Sequence, residues 1–175
     1  MNPEEHPDPR IADFVLVTEI AESRVLAEPL FRRKYRQPAP PSDLGLNVFA
    51  LIRRADGAWV PASYLVWRPF RDVHLSAGAC TDGERLRRLD PDRQQRLRDA
   101  GGLMYQVMRY GEARLATASA ASFGYTGDPR SREIAERCGY RRLGDHPHLI
   151  VRWNRELADA ERRRLVAEVE ALGPF

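Results

Sequence analysis

Residues 123–153 read FGYTGDPRSREIAERCGYRRLGDHPHLIVRW, and the breaks within this stretch decide the fold. Phe123-Gly124-Tyr125-Thr126 is a short apolar run with strand character. Gly127 stops it. Asp128 then offers a side-chain oxygen to orphan helix amides, Pro129 suits the first helical position, and Glu133 lies within the first two turns. Ile134 and Cys138 stand one turn apart on one helix face. Gly139 ends the helix. Tyr140 to Leu143 forms a second strand, Gly144-Asp145-His146-Pro147 turns the chain, and His148 to Trp153 closes as a third strand.

Downstream, Asn154 to Leu172 reads as a terminal helix with Leu157, Leu165, Val169 and Leu172 as its apolar stripe. That stripe must cover this domain or a second copy in a homodimer. Arg162-Arg163-Arg164 forms its solvated face.

Upstream, Gly101-Gly102 introduces an amphipathic helix from Leu103 to Arg114, and Leu115 to Ala121 leads into the strand at Phe123. Thr81 to Arg98 is polar, a loop plus a short helix starting at Asp90-Pro91-Asp92. Before it, Asn47–Arg54, Trp59–Trp67 and Val73–Cys80 form a three-stranded meander. Ala55-Asp56-Gly57 makes the first hairpin turn, and Pro61 marks a bulge or an edge. The chain begins with a strand, Asp13–Ile20, and a helix, Ala21–Arg36, interrupted or restarted at Pro29. Arg32-Arg33-Lys34 fall mostly on its solvent face. Residues 1–12 are acidic and proline-rich and are expected to be disordered.

At 175 residues the chain suits one domain with a sizeable core. No apolar run is long enough to cross a bilayer, and no signal peptide opens the chain. Two cysteines, Cys80 and Cys138, do not make a disulfide framework, so reduced thiols in a cytoplasmic protein are expected. The net charge is +3. Arginines are interleaved with acids, which argues against nucleic-acid binding. A mild positive charge suits a phosphorylated carrier.

The 123–153 stretch resembles the C-terminal half of the GNAT superfamily, the Gcn5-related N-acetyltransferases. Their helix often carries Asn-x-x-Ala-x-x-x-Tyr-x-x-x-Gly-Phe. Asp128, Ser131, Ala135, Gly139 and Tyr140 stand at those spacings. The element order from Asp13 to Trp153 also follows the family. The resemblance implies an α/β fold with a mixed sheet, a splayed strand pair and flanking helices over residues 13–153. Residues 154–175 would add a C-terminal helical extension.

The resemblance further implies where a carrier would bind. The pantetheine arm of acetyl-CoA, or of another acyl-CoA, would enter between Val73–Cys80 and Phe123–Thr126. Ser76-Ala77-Gly78-Ala79 permits either close approach of that arm or tight packing under a helix. Arg98, Gly101, Gly102 and Leu103 stand where the family binds diphosphate, with Leu103 replacing a small residue. Asp128 either reaches the arm or only caps its helix, and Ser131 supports phosphate or pantetheine.

Four residues near the expected cleft mouth could move protons or act covalently: Tyr125, Cys80, Asp82 and His148. Each also has a structural reading, as a packed aromatic, a small core residue, a turn former and a strand-surface residue respectively. His146 and His148 lack a third metal-ligand signal nearby, so no metal is expected. Ala135 stands where the family's tyrosine protonates the departing thiolate, which leaves Tyr125 as the candidate donor.

The implied reaction moves an acyl group, acetyl first, from a coenzyme A thioester to an amine of a small-molecule or peptide acceptor. The alternatives are an enzyme served by the phosphopantetheine of an acyl carrier protein, and a binding module of the same fold without chemistry.

Overall fold

The computed structural model describes residues 7–144 and 146–175. Its strands are β1 Val15–Glu19, β2 Leu46–Arg53, β3 Trp59–Phe70, β4 Val73–Thr81, β5 Ala121–Tyr125, β6 Arg141–Arg142 and β7 Leu149–Trp153. They form one mixed sheet in the order β1-β2-β3-β4-β5-β7-β6. All neighbours run antiparallel except β4 and β5. The helices are α1 Arg24–Tyr35, α2 Gly83–Arg87, α3 Pro91–Asp99, α4 Leu103–Leu115, α5 Pro129–Arg137 and α6 Asp159–Glu170.

Strand alternation sorts the side chains to two faces. Val48, Ala50, Ile52, Leu65 and Trp67 pack under α3, α4 and α5. Their neighbours Phe49, Tyr64 and Val66 pack under α1. Farther along that second face, Val73, Leu75 and Phe123 meet Leu165 and Val169 of α6. Two separate helices therefore cover this face, one on each side of the β4–β5 junction.

α4 lies very close to the sheet because Gly111 has no side chain. A Cβ there would stand 2.2 Å from Cη2 of Trp67. Beside it, Glu112 is buried and its two oxygens collect four donors. Oε1 accepts from Trp67 Nε1 at 3.1 Å and from the Tyr140 hydroxyl. Oε2 accepts from Ser122 at 2.9 Å and Arg152 at 3.1 Å. The network ties α4 to β3, β5, β7 and the segment after α5. Such a carboxylate is tolerated in a core because its lone pairs are satisfied.

Several boundaries differ from the sequence expectations. α1 runs through Pro29 without a break. The ring removes the amide that would serve the Val25 carbonyl, but Val25 is 79% exposed, where water can serve it. α6 starts at Asp159, not Asn154: Asn154 N still donates to Ala120 O, next to the β5–β7 ladder, and its side-chain amide donates to Ser119. Leu165 and Val169 are buried as expected, whereas Leu172 is 40% exposed. Residues 1–6 lie outside the described residues. From Pro7 the chain already has structure: Ile11 is fully buried, and Asp8 N donates to Gln106 at 3.0 Å. The Pro61 signal marks a true irregularity, since Ala50 pairs with Ser63 but Leu51 with Pro61.

Candidate functional site

β4 and β5 pair only from Val73–Ala121 to Ser76–Gly124. The separation has a local cause. On the other edge of β4, Val66 stands opposite Gly78 while Trp67 stands opposite Ser76, so Ala77 is an extra residue. A bulge of this kind bends its strand and re-aims the residues beyond it. β5 meanwhile ends at Tyr125 and turns through Gly127 into α5.

A cleft of ≈ 630 Å³ opens between the diverging strands. Ala77, Gly78, Ala79, Gly124, Tyr125 and Thr126 form its walls. The start of α4 and the start of α5 reach it from one side of the sheet, bringing Gly101, Gly102, Arg130 and Ser131. Lys34 and Tyr35 at the end of α1 reach it from the other, as does Phe175.

The cleft wall presents main-chain groups. Asp82 N donates to Ala62 O, and the Ser63 hydroxyl donates to Cys80 O, so even-numbered residues of β4 beyond the bulge face β3. Alternation turns the N–H and C=O of Ala79 toward the gap left by β5. The Ala79 carbonyl accepts from the Tyr35 hydroxyl at 2.6 Å.

Gly101 and Gly102 both have positive φ, +89° and +85°. A Cβ on Gly101 would meet Tyr105 Cδ1 at 2.6 Å and the Arg137 guanidinium at 2.7 Å, whereas Gly102 borders open space. The pair delivers the first amides of α4 to the cleft, where a helix N-terminus attracts negative charge. Leu103 sends its side chain into the core, so only its backbone is available.

The four candidate catalytic residues part company here. Tyr125 lines the cleft, with its ring against His148 at 5.5 Å, His146 at 5.8 Å and Phe175 at 6.0 Å. Cys80 is 1% exposed among Phe31 and Tyr64, and burial pushes its thiol up to about 12, so it is an inert thiol near neutrality. Asp82 caps α2, accepting from Arg85 N at 3.0 Å, and is ion-paired with Arg33. His148 packs behind the cleft wall, its ring under the position where a Gly127 Cβ would stand. His146 Nδ1 accepts from the amides of His148 and Leu149, at 3.2 and 2.8 Å, and so holds the turn.

The carrier-binding candidates also divide. Gly78, Ala79, Gly101, Gly102, Leu103, Asp128 and Ser131 all border the cleft. Gly78 owes its size to packing, since a Cβ would stand 3.0 Å from Pro40 Cγ and 3.3 Å from Phe31 Cζ. Asp128 caps α5, accepting from Ser131 N at 2.9 Å and from the Ser131 hydroxyl at 2.6 Å. Those bonds hold its carboxyl below the usual range. Arg98 is not at the cleft: its guanidinium donates to Gln95 Oε1 at 2.6 and 3.3 Å. Its expected diphosphate role draws no support from this placement.

Sequence reasoning did not find Lys34, Tyr35, Arg130 or Phe175. The end of α1 and the chain terminus are remote in sequence from the 123–153 stretch, and no local pattern marks their approach. Lys34, expected on a solvent face, stands at a cleft mouth instead.

No protein-family model matches the chain, and no curated protein matches its sequence. Solved structures do match. The ribosomal-protein-S18-alanine N-acetyltransferase from Escherichia coli aligns over 83% of this chain and 97% of its own, with 11% identity and a TM-score of 0.53. A GNAT-family protein from Desulfovibrio desulfuricans aligns over 78% and 96%, with 15% identity and a TM-score of 0.47. A chain of the KacTA–DNA complex aligns over 88% and 99%, with 13% identity and a TM-score of 0.44. The chain has the GNAT fold: a mixed sheet with one parallel pair and helices on both faces. Among the described residues no helix is long and apolar enough to cross a membrane.

Proposed function

We propose that the protein is an N-acyltransferase that moves an acyl group, acetyl in the first instance, from a coenzyme A thioester to an amine. One observation carries this reading. Pairing of β4 with β5 stops at Ser76–Gly124, which leaves the polar backbone of Ala79 facing a cleft rather than a strand. Main-chain groups that face a cleft rather than a strand suit a ligand that supplies a donor and an acceptor, and here the Ala79 carbonyl is meanwhile held by the Tyr35 hydroxyl.

The residues present fit such a carrier. Ala79 would take the amides of an extended arm. The first amides of α4, reached through Gly101 and Gly102, would take phosphate, with Arg130 and Ser131 bordering the same mouth. The open space at Gly102 leaves room for that approach. The thioester, when bound, supplies an activated acyl carbon.

The chain's own groups divide the remaining work. Backbone amides at the Ala77 bulge are suited to stabilise negative charge developing on the acyl oxygen. Tyr125 would hold a proton for the departing sulfur, because Ala135, at the family's tyrosine position, has none to give. The acceptor amine must arrive neutral, from the side bordered by Tyr35 and Phe175.

Calorimetry with coenzyme A, followed by thiol release from acetyl-CoA against a panel of small amines and peptides, tests the reading. Saturable binding with amine-dependent thiol release is expected. Binding without turnover against any amine would favour a module without chemistry, and no binding would remove the coenzyme A reading. The position of Arg98 away from the cleft favours one second reading, an acyl-carrier-protein donor, which needs less diphosphate grip. Transfer from an acylated carrier protein that weakens steeply with salt would support it.

A further inference from the structure

We propose that Lys34 is a self-acylation site of this protein. The inference rests on the acyltransferase reading of the cleft. Of 28 basic residues, Lys34 is the only lysine. Arginine stays protonated throughout the working pH range and cannot attack an acyl carbon, whereas a lysine amine can once it loses a proton. The one side-chain amine of the sequence thus stands on the cleft.

Its neighbours sharpen the contrast. In the run Arg32-Arg33-Lys34, Arg32 pairs with Glu28 at 2.6 Å and Arg33 pairs with Asp82. Lys34 makes no ion pair among the described residues. Its Nζ lies over the Tyr35 ring, 5.4 Å from the centroid. Tyr35 is anchored on the Ala79 carbonyl, so the lysine is carried to the strand edge where the acyl arm would lie. Cys80 and Asp128 border the same cleft as Lys34.

In the step, a C–N bond forms between neutral Nζ and the acyl carbon while the thioester C–S bond breaks. The electron pair leaves with sulfur, and the amine proton passes to that thiolate or to water. The product is an uncharged amide across the acceptor mouth, so the modification would also slow transfer to outside amines.

The test incubates the full chain with acetyl-CoA and reads intact mass, tryptic map and coenzyme A affinity by calorimetry. The expected result is one acetyl group on Lys34, loss of tryptic cleavage after Lys34, and a rate per molecule independent of protein concentration. Lys34→Arg should lose the increment while still binding coenzyme A. Wild type that binds coenzyme A but stays unlabelled at Lys34, or is labelled only at its N-terminal amine, overturns the proposal and leaves the acyltransferase reading standing. Equal labelling of urea-unfolded chain, or a rate proportional to protein concentration, also overturns it. Absence of coenzyme A binding overturns both.

Discussion

The hydroxyl of Tyr35 donates to the carbonyl of Ala79 at 2.6 Å, so the last residue of α1 holds the strand edge that β5 has left. In the proposed function that carbonyl is wanted by the carrier's arm, and Tyr35 competes for it. Tyr35→Phe removes the competitor. One neutral hydrogen bond is worth about 0.5–1.5 kcal/mol net. We expect coenzyme A to bind a few-fold more tightly to the variant in calorimetry, with stability lowered by a similar amount. Weaker binding would mean that the hydroxyl aids the carrier.

Tyr125→Phe should lower turnover and leave coenzyme A affinity nearly unchanged. The ring packing with His148 and Phe175 survives the change, so only the proton donor is lost. General acid catalysis contributes typically ~10²–10⁴-fold, and kcat should fall within that range. An unaltered kcat takes Tyr125 out of the mechanism.

The glycine pair before α4 should tolerate no side chain. Gly102 has φ +85° and ψ 163°, a region used almost only by glycine. Gly102→Ala should cost about 1–3 kcal/mol in urea unfolding. Gly101→Ala should cost more, because strain adds to the collision with Tyr105 and Arg137. Equal losses at the two positions would show that the collision is relieved at no cost.

Glu112→Gln replaces a carboxylate with an amide in front of four donors. At least one donor then faces an NH₂ group. A loss of about 3–5 kcal/mol is expected, the range for breaking a buried charge pair. The pH dependence has a definite sign. Burial pushes the Glu112 carboxyl up despite the pull of Tyr140 and Arg152. A raised acid contributes linkage stability that is complete below its unfolded value, about 4.3, and is lost as pH rises through its folded value. The stability gap between wild type and variant should therefore shrink as pH rises from about 4.3 toward that folded value. A gap that widens over this window would mean that the carboxyl is lowered.

α6 should act as part of the domain. Leu165 is 1% exposed against Val73, Leu75 and Phe123. Leu165→Ala should cost about 2–5 kcal/mol, read as a lowered denaturant midpoint. A midpoint unchanged within error would make the helix an appendage. Sedimentation of the wild type decides whether α6 also joins two copies.

The sequence by itself determined the local elements. Strand alternation, the Asp128-Pro129 start, the Gly139 stop and the Gly101-Gly102 break are all written within a few residues of what they control. Those signals gave the order of the elements; that β4 lies beside β5 with a cleft between them was implied by the family resemblance rather than by any local pattern. For Cys80 and Asp82 the sequence offered both a catalytic and a structural reading, and it could not choose, because the burial of Cys80 under Phe31 and the pairing of Asp82 with Arg33 depend on where α1 lands. Arg98 matched a spacing yet turned to Gln95, since a pattern fixes neither a rotamer nor a partner. Only tertiary structure brought Lys34, Tyr35 and Phe175 to the mouths of the cleft. They come from the end of one helix and the end of the chain, and meet β4 and β5 through packing across the sheet, an interaction that no periodicity in the sequence encodes.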